Sequence, residues 1–419
     1  MKLAFLLLLA AIEGVSQAPE PGEALYQAGD FAKARQVLEK DIASDKAPAK
    51  AHFWLAYTYL AIGERDRAIA QFEAYLHDNP ADEDALYALG KTYAQLAEMS
   101  LERIFQLDAE SARAYQMRGI RFELEKSWKE AIQAYEHAIQ LDPKIRGLYS
   151  SIGRIELRER GNRPAAEAAY GNELPALTGK RKTDRESGML LMEAGKPRDS
   201  LPFLLRWRAA EPTSPDAHYY LGEAFTDLKV GTIRRLKEVN PRSYRLHQIL
   251  AEDYASVHDR ADAIAEYRQV IAMQPRVPGV HYELAKLLSD TSIEEAVTLL
   301  KTELLIDPQH YPAKGLLGRI YVALHQPDAA VPLLEEALAA KPDALEPRQA
   351  LGQAWVAKRN FPKALECYRA VAERNPADEQ IHFLLAQAYT AMGRPDEAAR
   401  ERALHREVLR EVLKKAATR

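Results

Sequence analysis

A pattern of small, aromatic and proline residues recurs about every 34 residues along most of this chain. One copy contains Trp54, Ala56, Tyr59, Gly63, Ala68, Phe72 and Pro80, and another contains Leu351, Gly352, Trp355, Ala364, Tyr368 and Pro376. A fixed period of this length is typical of stacked helical or strand units, each of which covers its neighbours' apolar faces. The pattern therefore predicts a repeat architecture rather than a single globular core.

Each copy contains two apolar runs at helical spacing. Leu351 and Trp355 are four residues apart in the first run, and Ala364, Tyr368 and Val371 follow i, i+4, i+7 in the second. The connection between the runs is short and polar, so the two helices must lie antiparallel. Glycine and alanine are expected where the helices approach most closely, with an aromatic ring filling the space beside them.

Prolines mark the expected ends of the second helices, because proline cannot continue a helix. They are Pro80, Pro143, Pro212, Pro275, Pro308, Pro342 and Pro376.

The pattern resembles the tetratricopeptide repeat (TPR) family. Further matching positions include Gly119, Phe122, Ala131, Tyr135, Leu250, Ala251, Tyr254, Ala263, Tyr267, Leu317, Gly318, Tyr321, Ala330 and Leu334. The resemblance predicts an all-α fold: a right-handed superhelical solenoid of about twelve antiparallel helix-turn-helix repeats over roughly residues 22–400, with a C-terminal capping helix.

The N-terminus has the features of a secretory signal peptide, expected over residues 1–18. Lys2 precedes the apolar run Leu3–Ile12, and Ser16, Gln17 and Ala18 provide a site rich in small residues. The apolar run is too short to span a bilayer, and an uncleaved anchor is the alternative. We expect an exported bacterial protein, periplasmic or outer-membrane-associated, with no other membrane-spanning segment.

A second, longer period divides the chain. Asp84, Tyr87 and Gly90 recur as Asp216, Tyr219 and Gly222, and Arg113 recurs as Arg245, at a constant offset of 132 residues. This offset predicts that a four-repeat block is duplicated. The predicted divisions after the signal are repeats at 22–176, a duplicated block at 181–310, further repeats at 311–394, and a terminal repeat helix and cap at 395–419.

Both blocks share one irregularity. After Tyr93 and after Phe225 the repeat is short and has no glycine-polar turn, so 96–107 and 228–239 are expected to form a stunted second helix or an irregular bend. Its presence in both copies indicates an ancestral feature. An inherited kink and a bend that shapes a binding surface are both open.

Two charged segments have alternative interpretations. The basic run 179–182, Gly-Lys-Arg-Lys, is either a solvated loop or a contact for an anionic partner. The stretch Pro395–Lys415 is expected to form an amphipathic helix, which either caps the solenoid or contacts an anionic membrane surface.

No combination of residues indicates catalysis, a cofactor or a metal site, so we expect none, and no enzyme. The metalloprotease, nucleophile-elbow and paired-cysteine motifs are absent, and Cys367 is the only cysteine. A series of first-helix histidines invites a metal interpretation, but neighbouring helices lie too far apart to share an ion, which favours half-buried packing. The series is His52, His218, His247, His281 and His382. With a net charge of −4, no nucleic-acid partner is expected.

The TPR resemblance implies a concave groove lined by the first helices, where exposed side chains bind peptides. The matching positions are Phe53, Tyr57, Tyr87, Lys91, Tyr219, Glu223, Tyr282, Lys286, Arg319, Phe383 and Gln387. Packing beneath the next repeat is the alternative for several of them.

The first hypothesis is therefore a non-enzymatic protein-protein interaction scaffold that binds a protein or peptide in its concave groove. The second is an accessory or assembly subunit of a bacterial envelope complex for polysaccharide or outer-membrane protein export.

Overall fold

The structure, a computed structural model, describes residues 20–44, 50–173 and 183–417, with side chains to residue 411. These residues contain 22 α-helices and no strand. They form two compact units, one within Gln17–His258 and one within Asp259–Arg419. The chain is an all-α helical-repeat solenoid.

The helices of the first unit are α1 Pro21–Gln27, α2 Phe31–Ile42, α3 Ala51–Ile62, α4 Arg65–Asp78, α5 Glu83–Leu107, α6 Ala112–Leu124, α7 Trp128–Leu141, α8 Leu148–Arg158, α9 Arg163–Gly171, α10 Asp184–Glu193, α11 Pro197–Ala210, α12 Pro215–Val239 and α13 Tyr244–Ser256. Those of the second unit are α14 Arg260–Met273, α15 Val280–Leu288, α16 Ile293–Ile306, α17 Tyr311–Ala323, α18 Pro327–Ala340, α19 Leu345–Ala357, α20 Phe361–Arg374, α21 Glu379–Ala391 and α22 Pro395–Ala417.

Local sequence explains where these helices begin and end. Each proline predicted to end a second helix lies two residues beyond the last residue of that helix, as Pro376 does after α20. The tight turn inside a repeat commonly needs a left-handed residue, provided by Gly63 (φ 86°) after α3 and by Arg359 (φ 58°) after α19. Side chains such as those of Ser111 and Asp378 cap the free amides at helix starts.

In a regular repeat, a first-helix glycine lies against a large side chain 16 residues later in its own second helix. A Cβ on Gly352 would lie 2.4 Å from the Tyr368 ring, and one on Gly318 would lie 2.6 Å from Leu334. Tyr368 and Leu334 are both buried, and burying each such large side chain stabilises the fold by roughly 1.5–3 kcal/mol. The predicted assignment of glycine and aromatic residues to helix packing is confirmed at these positions.

The expectation for 96–107 and 228–239 is wrong. Neither segment is stunted or bent: each continues a first helix without interruption, so α5 and α12 each span 25 residues. No residue within either helix has a positive φ. The sequence Gln95-Leu96-Ala97 contains good helix formers where a regular repeat has its turn, so the helix continues.

The consequence is an exchange of helix partners between the two blocks. A Cβ on Gly222 of α12 would lie 2.5 Å from Leu101 in the second half of α5. A Cβ on Gly90 of α5 would lie 3.4 Å from Thr232 in the second half of α12. Tyr93 and Phe225, which are equivalent in the two blocks, stack on each other with ring centroids 6.2 Å apart.

The first half of each long helix therefore packs against the second half of the other. We call α5 and α12 the crossed helices. Since each crossed helix combines a first and a second repeat helix, the 22 helices account for the twelve repeats that the period predicts.

Candidate protein-binding surfaces

The predicted groove residues of α3 and α5 are largely inside the protein. Phe53, Tyr57 and Tyr87 are only 2–3% exposed. Phe53 and Tyr57 lie within an aromatic cluster with Phe72, their own ring centroids 4.9 Å apart. Phe53, Tyr57 and Tyr87 are therefore enclosed by the protein itself, and they offer no surface to a partner.

Tyr87 takes part in contacts between the two blocks. Its hydroxyl donates to Glu252 Oε1 at 2.7 Å and accepts from Gln248 Nε2 at 2.7 Å, both on α13. The equivalent Tyr219 accepts from Gln116 Nε2 of α6 at 2.9 Å. Each tyrosine is therefore fixed by the helix that follows the other crossed helix.

Reciprocal ion pairs accompany these hydrogen bonds. Arg245 Nε donates to Asp84 at 2.6 Å, and Arg113 Nε donates to Asp216 at 2.7 Å. Both arginine side chains are about 5–6% exposed, and their guanidinium groups lie over the rings of Tyr87 and Tyr219 respectively. Each pair therefore joins a buried arginine to a partly buried aspartate, which distinguishes it from an exposed surface bridge.

The two halves differ at one predicted groove position. Lys91 Nζ lies 2.9 Å from Glu252 Oε1 and donates to the Tyr87 hydroxyl at 3.2 Å. Burial by itself lowers the pKa of Lys91, but Glu252 and Tyr87 raise it above its usual value.

In the other half, Glu223 replaces Lys91, and Ile120 occupies the position of Glu252. Burial raises the pKa of the Glu223 carboxyl, and the neighbouring Asp227 carboxylate raises it further. The two equivalent positions therefore differ in chemistry. Lys91 is a cation paired with Glu252, whereas Glu223 is a partly buried carboxyl.

In the second unit the predicted residues lie at or near the surface. Tyr282 is half-buried, with its ring 5.0 Å from that of His310. Lys286 and Arg319 are exposed and pair with the acidic residues Glu283 and Glu346. Burial raises the pKa of Tyr282 to about 12.

Phe383 and Gln387 line a groove between α21 and α22. Phe383 is 47% exposed, and the groove has a volume of about 570 Å³. We call it the terminal groove; its lining consists of Phe383, Ala386, Gln387, Thr390, Ala391, Arg402, His405 and Arg406. The only large ring at its surface is therefore flanked by small residues and, on α22, by cationic ones.

The histidine series has a structural explanation. Nε2 of His218 lies 3.1 Å from the Pro212 carbonyl oxygen, and Nε2 of His382 lies 3.1 Å from that of Pro376. His52 Nδ1 also lies 2.7 Å from Gln71 of the second helix. Each of these three histidines joins its helix to the preceding loop or to its partner helix. Among the described residues, no group of three or more His, Cys, Asp or Glu side chains could hold a metal ion.

Two predicted features lie outside the described residues: the signal peptide over 1–18 and the basic run 179–182. Within the part of the chain that the structure describes, none of the helices is both long and apolar enough to cross a membrane.

The model of the tetratricopeptide repeat family matches residues 25–96, 287–355, 322–382 and 356–401. This chain contains tetratricopeptide repeats. The TPR matches leave out 97–286, which contains most of the crossed helices. TPR repeats serve as protein-interaction modules, so the chain is of the interaction-scaffold class.

Solved structures of similar chains include MamA 41-end from Desulfovibrio magneticus RS-1, at 20% identity and a TM-score of 0.38, covering 40% of this chain and 96% of that one. Another, described as a crystal structure of MamA protein, has 21% identity and a TM-score of 0.37, covering 41% of this chain and 94% of that one. None of the curated proteins matches this TPR chain.

The sequence contains a signal for the reciprocal ion pairs. Asp84 with Asp216 and Arg113 with Arg245 are matched pairs at the 132-residue offset. A charged pair retained in both blocks of a duplicated chain is a signal of mutual contact. What the sequence could not show is that each arginine pairs with the aspartate of the other block.

Proposed function

We propose that this TPR protein binds a protein or peptide partner, without catalysis, along the first helices of its second unit. Supporting this, the predicted contact residues there are half-buried or exposed, whereas Phe53, Tyr57 and Tyr87 of the first unit are enclosed. The residues concerned are Tyr282, Lys286, Arg319, Phe383 and Gln387.

One observation carries the proposal: Phe383 is 47% exposed, and it lines a groove of about 570 Å³. Aromatic side chains provide large contact area and are enriched among the residues that dominate binding energies. A groove of this size is in the range that accommodates a few side chains of a ligand.

The test is capture of partners from the native organism by crosslinking to the full tagged chain. The variant Tyr282→Ala with Phe383→Ala is expected to lose at least ten-fold of the specifically captured partner. Leu305→Ala is the matched control, because Leu305 is 85% exposed on the second helix α16. Equal capture by the wild-type chain and the double variant would overturn the proposed surface.

We also propose export to the bacterial envelope, with a role as an accessory subunit of an envelope assembly as the second candidate function. The sequence of Lys2 followed by Leu3–Ile12 supports this proposal. Mass spectrometry of the mature N-terminus and fractionation of cells test it. Cleavage near Ala18 and recovery in the envelope fraction are expected; an intact N-terminus in the cytosolic fraction contradicts the proposal.

A further inference from the structure

The terminal groove lies where a further first helix would pack. Two repeats earlier, a Cβ on Gly315 of α17 would lie 3.1 Å from Pro347 of the next first helix, α19. One repeat earlier, Gln349 of α19 donates to Gln380 of α21 at 3.0 Å. Phe383 occupies the same repeat position as Gly315 and Gln349, and no helix among the described residues covers it.

The side of the groove formed by the second helix, α22, also corresponds to a surface that the next repeat covers elsewhere in the chain. In α20, Tyr368 and Val371 are about 1% exposed and belong to a core cluster with Ile381 and Leu385 of the following first helix α21. Ala372 packs against the same cluster. Residues of α20 at these three positions are thus covered by the next repeat.

In the last repeat these three positions are cationic or ionisable. Arg402 replaces Tyr368, His405 replaces Val371 and Arg406 replaces Ala372. The helix-stacking site therefore keeps an apolar side, from Phe383, Ala386 and Ala391 of α21, but gains positive charge along α22.

No ion pair among the described residues neutralises Arg402 or Arg406. Arg402 Nη2 donates to the neutral Thr390 hydroxyl at 2.8 Å, and Arg406 makes no ion pair with a described residue. His405 Nδ1 lies 2.8 Å from the Glu379 carbonyl oxygen, which orients that ring by a backbone contact. Two guanidinium groups beside an apolar groove favour a ligand that combines apolar surface with carboxylates.

We propose that the terminal groove binds an amphipathic helix of a partner protein, with acidic residues along one edge of its apolar face. The helix occupies the place of a thirteenth first helix, packing its apolar face on Phe383 and Ala386 and its carboxylates beside Arg402 and Arg406. This inference rests on the proposed function and adds the partner's secondary structure and charge.

Two synthetic helical peptides of about six turns test the inference by fluorescence anisotropy with the full chain. They share one leucine-alanine face and differ only in the flanking positions, which are glutamate in one peptide and lysine in the other. The acidic peptide is expected to bind at least ten-fold more tightly, and added salt should reduce the difference. The double variant Arg402→Glu with Arg406→Glu should reverse the preference.

The charge-matched control is Arg158→Glu with Arg400→Glu, two exposed arginines that do not line the groove, and it should retain the preference of the wild type. Thermal melts by circular dichroism check that each variant folds.

If both peptides bind equally and Phe383→Ala abolishes both, the inference about charge is overturned while the groove of the proposed function stands. If neither peptide binds, the helix inference is overturned, and the capture experiment with native partners decides the proposed function separately.

Discussion

The crossed helices of the first unit and the regular repeats α17–α20 of the second use the same repeat pattern in opposite ways. In the regular repeats a turn such as that at Arg359 returns the chain on itself, and Gly352 packs on Tyr368 of its own hairpin. In the crossed helices the turn is missing, and Gly222 packs on Leu101 of the other block.

The difference also decides which side chains remain for a partner. At the crossing, Tyr87 and Tyr219 hydrogen-bond to Gln248 and Gln116 across the blocks. In the second unit the corresponding faces carry exposed residues such as Arg319. The repeat pattern can predict a binding residue at a given position. That residue is available to a partner only where its helix face is not covered by another helix of the same protein.

The largest expected effect is loss of a reciprocal ion pair. Asp84→Ala leaves the Arg245 guanidinium buried without its carboxylate, and we expect the free energy of unfolding to fall by about 3–5 kcal/mol. Urea denaturation followed by circular dichroism measures it. Asp216→Ala should have a similar effect through Arg113 if the two blocks are equivalent.

The matched control is Glu167→Ala, which breaks the exposed pair with Arg163. Exposed pairs contribute little, so a change below about 1 kcal/mol is expected. An effect of Asp84→Ala as small as that of the control would contradict a buried cross-block pair.

Next in size is overpacking at the crossing. Gly222→Ala should cost about 1–3 kcal/mol, because the new Cβ meets Leu101. A double-mutant cycle with Leu101→Ala should show a coupling energy of about 0.5–3 kcal/mol.

The control cycle pairs Gly222→Ala with Glu238→Ala. Glu238 is 16 residues after Gly222, where a regular repeat has the side chain that contacts its glycine. The two changes in unfolding free energy should be additive within about 0.5 kcal/mol. The Gly318–Leu334 pair provides the regular-repeat reference, with coupling inside one hairpin. Coupling of Gly222 to position 238 instead of 101 would show an unexchanged fold.

A similar cost is expected in the second unit from Ala263→Leu. Ala263 of α14 is fully buried, so the larger side chain should destabilise by about 1–3 kcal/mol through overpacking. An unchanged midpoint of thermal unfolding would be evidence against the assigned repeat positions.

The smallest expected effect is a pH dependence of stability that comes from Glu223, at the position where the other half of the crossing has Lys91. Because the folded-state pKa of Glu223 is raised, ionisation of this carboxyl destabilises the fold as pH rises through that pKa. Glu223→Gln should therefore stabilise the protein at pH 7, by about 0.5 kcal/mol. The gain should vanish below the pKa of an unfolded glutamate, roughly 4.3.

Chemical denaturation at pH 7 and at pH 3.5 measures this difference. Stabilisation of the same size at both values would mean that charge is not its cause.

Much of the fold was predictable because it depends on short-range chemistry. Pro376 ends α20, Gly63 permits the turn after α3, and the spacing of Ala364, Tyr368 and Val371 forms a buried helix face. The groove residues were less predictable. Phe53 and Phe383 have similar repeat positions, but the first is 3% exposed and the second 47% exposed.

The sequence by itself determined the regular helical hairpins, their ends and the 34-residue period. It also predicts the duplication of a block. Only the tertiary structure decided which helices pair at the crossing. The two blocks carry the same apolar pattern, so the second half of α5 fits the first half of either crossed helix. Without a turn after Tyr93, α5 cannot fold back on itself, and its second half packs on α12 instead.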